Sequence, residues 1–174
     1  MRHVTRHLKF AMLPLLFWSA PAAALDECLI GRWVPEMEAM QANLTAISGL
    51  PTNVSGEIEM TVSNDGTAQV MMRDFKLEVR QAPGAVLNRA NGTASLDLAT
   101  EAGNIIGTIT TLGIDIAVFL TMPEMPPQPL ATRMVDLADM PNPDFATAYT
   151  CVGDLVTIEG SPERPVPARV WVRG

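Results

Sequence analysis

CLIGRWVPEM, residues 28–37, is the stretch on which the reading of the whole chain turns. Ten residues hold a cysteine, the triplet Gly31-Arg32-Trp33, and a proline at a point where a first helical turn tolerates a missing N–H. A tryptophan two residues after a glycine, inside a short apolar run, suits a first strand that turns its largest side chain into a core. Just beyond it Met37, Met40, Leu44 and Ile47 recur at 3-4-3 spacing, and Gly49 with Pro51 ends the run. This predicts one amphipathic helix of about three turns.

From Val54 the period changes to two. Val54, Ile58, Met60 and Val62 alternate with Ser55, Glu57, Glu59 and Thr61, as in a strand with one wet face. Asp65-Gly66 supplies a hairpin turn. Ala68, Val70 and Met72 then face inward, but Phe75, Leu77 and Val79 are out of phase with them. A bulge or tight turn at Arg73-Asp74 would account for the slip. Further strands are expected near 86–90, 93–100 and 105–121, separated at Asn91-Gly92 and at the EAGN stretch. The last of these keeps a strict alternation from Leu112 to Leu120 and is long enough to bend at Gly113 or to be two strands.

Residues 122–145 read differently. Proline-rich flanks bracket LATRMVDLADM, where Leu130, Met134 and Leu137 share one helical face. A short helix is expected there, with its apolar face as a lid over one barrel mouth or as packing on the outer wall. The chain returns to strands at ATAYTCV, LVTIEG and ARVWVRG. Eight or so short strands with hairpin signals predict a mainly β domain, a single closed or nearly closed antiparallel barrel, with one helix after the first strand and a short one in the late insert.

Upstream of residue 28, Arg2, Arg6 and Lys9 precede the apolar run FAMLPLLFW and the small residues Ala22 and Ala24. That pattern is an export signal over 1–24, cut after Ala24, leaving 25–174 as one domain in the periplasm or outside the cell with no transmembrane segment. The chain carries 12 basic and 19 acidic residues; loss of the three leader cations leaves 9 against 19, a net of −10. Such a surface disfavours nucleic acid. Cys28 and Cys151 are an even pair in an oxidising compartment and are expected to form a disulfide joining the first strand to a late one.

Absences narrow the function. His3 and His7 leave with the leader, so residues 25–174 hold no imidazole, one lysine (Lys76) and one tyrosine (Tyr149). Ser-His, Cys-His and histidine-metal chemistry all need that ring, so no enzyme, metal or cofactor is expected. Glu57-x-Glu59 reads as solvated charge on a wet strand face rather than as an acid pair. Asp136, Asp139 and Asp144 lack the dense ligand spacing of a calcium loop. The methionine pairs Met37-x-x-Met40 and Met122-x-x-Met125 are sparser than copper carriers use and suit flexible apolar lining.

With Gly31-x-Trp33 opening the first strand, Tyr149-Thr150-Cys151 and Gly153-Asp154-Leu155 late in the chain, and Trp171 and Arg173 near its end, the sequence resembles the lipocalin-like (calycin) barrels, in particular small exported bacterial relatives. The resemblance implies that Trp33 closes the barrel base beneath Arg173 or Arg169. It also implies a binding barrel for a small apolar molecule, for which Met60, Met72, Leu77, Ile114, Ile116, Leu130, Met134 and Leu137 are the candidate lining. The alternative is a filled barrel acting through its surface on an envelope protein.

Overall fold

The computed structural model describes residues 25–160 and 165–174, so the leader expected over 1–24 lies outside the described residues. A 3-10 turn at Glu27–Leu29 leads into β1 (Gly31–Pro35), α1 (Met37–Ser48), β2 (Thr52–Val62), β3 (Thr67–Gln81), β4 (Gly84–Glu101) and β5 (Asn104–Thr121). These are followed by β6 (Gln128–Asp136), a 3-10 turn at Leu137–Asp139, β7 (Asp144–Val152), β8 (Leu155–Ile158) and β9 (Val170–Arg173). Every pairing is antiparallel. The sheet runs β4-β3-β2-β1-β9-β8-β7-β5, and β4 pairs back onto β5, so eight strands close into a barrel with β6 outside the ring. Closure leaves those eight strands no unpaired edge within the ring.

The helix forms where its spacing indicates. Glu36 caps it, its carboxylate accepting from the Glu38 and Ala39 amides, and Gly49 ends it at φ 68°. Met40 is buried, Met37 and Leu44 pack against the core, and Ile47 at the far end stays exposed.

β4 and β5 are 18 residues each, about 60 Å at a strand's usual rise, longer than the barrel wall they share. Their surplus projects as a sheet extension made of β4 and β5 with the second half of β3 and the start of β2. The kink between barrel and extension is the phase slip seen in sequence: the β3 register shifts between Met72 and Phe75, where two residues, Arg73 and Asp74, stand against the single Asn91 of β4. Asp74 takes φ 46°, and its amide donates to Asn91 Oδ1 at 2.6 Å. Asn91-Gly92 is therefore not the turn expected from its composition. It lies inside β4, where Asn91 satisfies the bulge and a side chain at Gly92 would overlap the Gly113 carbonyl of β5. The expected turn at EAGN does form, with Ala102 and Gly103 both at positive φ.

The late insert holds a strand instead of a helix. β6 pairs with Gly113–Leu120 of β5, and only the 3-10 turn after it is helical. A segment of about eight residues gains little as an isolated helix. The open backbone of distal β5 offers it a full ladder, and Thr132 and Val135 suit a strand. Leu137 consequently sits in the turn.

Candidate ligand-binding cavity

The barrel interior is assembled from alternate residues of each strand. Trp33 stands opposite Met60, Met60 opposite Val70; Val62 stands opposite Ala68, and Ala68 opposite Leu96. On the other wall Gly107 faces Phe145, and Val156 lies between Cys151 and Trp171. A side chain at Gly107 would occupy the space of the Phe145 ring, so the glycine lets that ring turn inward. These side chains do not meet at the centre. They enclose a cavity of about 560 Å³ walled mainly by Leu29, Trp33, Met60, Val62, Val70, Leu96, Leu98, Ile105, Phe145, Val156, Ile158 and Trp171. That volume is within the range of small-molecule pockets.

The polar part of the wall comes from one side. Asn104 pairs with Ala148 across β5 and β7, and the Glu159 amide donates to the Ala148 carbonyl at 2.8 Å. Asn104, Thr147, Glu159 and Gly160 thus border the cavity together, with Val166 beside them. Thr147 Oγ1 donates to the Glu159 carbonyl. No described buried side-chain polar atom lacks a partner.

The base is closed by a stacked pair. Trp33 is 0% exposed, its Nε1 donates to the Leu29 carbonyl at 2.7 Å, and the Arg173 guanidinium lies 4.5 Å from its ring centroid. Arg173 also donates to Asp154 (3.0 Å), Ile30 O (2.9 Å) and Cys28 O (3.2 Å). Gly31 is at φ 134°, and a side chain there would run into the guanidinium. Gly31-x-Trp33 therefore has a direct physical reading: the glycine makes room for the cation that covers the indole. Arg173 rather than Arg169 fills this place. Such a contact is worth about 0.5–2 kcal/mol and is structural.

Beside the base, Cys28 and Cys151 are bonded with Cα atoms 6.4 Å apart, linking the residues before β1 to β7. The Tyr149 hydroxyl donates to Asp26 Oδ2 at 2.8 Å. Burial first, then the hydrogen bond and charge of Asp26, raise the Tyr149 hydroxyl above its ordinary value of 10.0. A raised value favours the neutral phenol in the folded state, so the contribution is complete below the unfolded value and is lost as pH rises through the folded one. With Tyr149 the single tyrosine, the tyrosinate absorbance should titrate higher in folded than in unfolded protein, and Asp26→Asn should bring the midpoint down. Equal midpoints in folded and unfolded protein would contradict the contact.

Among the residues expected to line a ligand, Met60 borders the cavity. Met72 and Leu77 pack against the core from either side of the β3 bulge, and Ile114 and Ile116 are half-buried on distal β5, opposite Gly92 and Ala90. Leu130 and Met134 are 57% and 63% exposed on β6, and neither borders the cavity. The residues that sequence reasoning missed are those of the second wall, above all Phe145, Val156, Ile158 and Trp171. Asp136 caps the 3-10 turn and Asp144 accepts from Thr108, and no three described His, Cys, Asp or Glu side chains come together as a metal would need.

These features define a class: a closed, eight-stranded antiparallel barrel with an apolar internal cavity and a tryptophan–arginine base. No family model, curated protein or solved structure matches the chain. No described helix is long and apolar enough to cross a membrane.

Proposed function

We propose that this protein is a lipocalin-like barrel that binds a small apolar molecule outside the cytoplasm and acts by binding rather than catalysis. The observation that carries the reading is the apolar cavity of about 560 Å³ inside a barrel whose base is shut by Trp33 and Arg173. Gly31-x-Trp33 with its covering arginine supports kinship with the calycin barrels. The disulfide supports an oxidising compartment. The ligand fits as a mainly hydrocarbon body with its polar end toward Asn104, Thr147 and Glu159, because a polar group anywhere else in the wall would be buried without a partner.

An apolar fluorescent probe tests this. The purified protein should bind one equivalent, and Val70→Phe together with Leu98→Trp, which fill the space, should weaken binding at least about 10-fold while moving the melting temperature little. Leu130→Asp, outside the cavity, should leave affinity unchanged. Binding that survives the filling substitutions would place the probe elsewhere and defeat the proposal.

A further inference from the structure

The side-chain donors that border the cavity are already engaged with the protein itself. Trp33 Nε1 donates to the Leu29 carbonyl at 2.7 Å, and Trp171 Nε1 to the Ala168 carbonyl at 2.9 Å. The Asn104 amide nitrogen turns back to the preceding turn, donating to Ala102 O at 3.3 Å and Glu101 O at 3.5 Å. Thr147 Oγ1 donates to the Glu159 carbonyl. Among the described residues, these four side chains are all the donors on the cavity wall.

What the wall can still give a ligand is acceptors. A hydroxyl that donates keeps its lone pairs, and an amide oxygen and a carboxylate only accept. Thr147, Asn104 and Glu159 bring these groups to the one polar side of the cavity. Glu159 is the one ionisable side chain among the described residues that border it, and it is an acid. The whole molecule has the same sign, with 19 acidic against 12 basic residues. A carboxylate head entering this side meets no cation and no uncommitted side-chain donor among the described residues, and an ionised group that loses water without a partner is costly. An ammonium group has three N–H to give and needs no donor in return.

On the binding role proposed above, we infer that the ligand carries a hydrogen-bond donor and no negative charge at its polar end, as an alkyl amine does, and that the cavity rejects carboxylates.

Decylamine and decanoate make the comparison, because they share a chain length and are both ionised at about pH 8. Each is titrated against the bound apolar probe in about 0.5 M salt, which screens the net charge of the protein and leaves local contacts. Decylamine should displace the probe at a concentration at least about 10-fold below that of decanoate. Val166 borders the same side, with its backbone held by Asn43 Nδ2 donating to its carbonyl at 2.6 Å. Val166→Lys and, independently, Thr147→Lys place a cation there and should abolish or reverse the preference. Equal displacement by the two heads, tighter binding of decanoate, or a preference that either folded lysine variant leaves intact would overturn the assignment of the polar end. In those cases the cavity remains the binding site, provided that Val70→Phe with Leu98→Trp weakens both compounds. Displacement by neither compound, or displacement that survives the filling substitutions, would instead defeat the binding reading and this inference with it.

Discussion

Trp33→Ala is expected to lower the melting temperature by about 10–15 °C, the largest effect of any single substitution considered. The indole is fully buried, walls the cavity on one side, carries the Arg173 guanidinium and donates to Leu29 O. Truncation enlarges an existing void, so the neighbours cannot collapse onto the gap. It also leaves the Leu29 carbonyl without its donor and the guanidinium without its ring. Removal of a buried tryptophan costs about 3–5 kcal/mol, and a domain of this size loses about 2–4 °C per kcal/mol. Trp33→Phe, which keeps an aromatic surface but no N–H, should fall between. Thermal unfolding followed by circular dichroism decides it; a shift of under about 3 °C for the alanine variant would mean that the base is not held by this residue.

Removing the disulfide should have the next largest effect. Cys28 and Cys151 are separated by 123 residues, and in the chain-entropy model a loop of that length constrains the unfolded state by about 4–5 kcal/mol. The double variant Cys28→Ser/Cys151→Ser should therefore lose about 2–5 kcal/mol in denaturant unfolding, and reductant should do the same to the wild type but nothing further to the variant. The bond links the residues before β1 to β7, so its loss should loosen the junction on which ring closure depends. If the variant unfolds within about 1 kcal/mol of the wild type, the ladders alone hold the ring.

Local chemistry made the barrel legible. The helix announces itself through Pro35, the 3-4-3 spacing and Gly49. The β3 bulge announces itself through the phase slip between Met72 and Phe75, and the disulfide through a lone pair of cysteines. Asn91-Gly92 misleads because a favourable turn pair is also a way to fit one strand closely against another; the bulge amide that Asn91 satisfies comes from 17 residues earlier. LATRMVDLADM misleads because its apolar spacing fits a helix, while its actual partner, distal β5, cannot be read from the segment itself. The cavity was half legible for a related reason. Alternation in β2 and β3 identifies Met60 and its neighbours as interior, but which inward residues reach the barrel and which belong to the extension depends on the bulges and on strand length. Met72, Leu77, Ile114 and Ile116 share the inward phase and still lie outside the cavity wall.

The strand that completes the ring is β9, four residues long, and it brings both Trp171 and the guanidinium that covers Trp33. Most other neighbours in the ring are joined by short hairpins, which form quickly because their loops are short. β9 instead has to find β1, some 140 residues earlier, against the full entropy of closing the chain. Until it does, Trp33 has no cover and the indole face is wet. The folding nucleus is thus expected among the β2–β5 hairpins, with substitutions in β9 speeding unfolding and leaving the folding rate nearly unchanged. The interior that gives the protein its proposed use is then expected to be completed last, when the four residues of β9 shut the base.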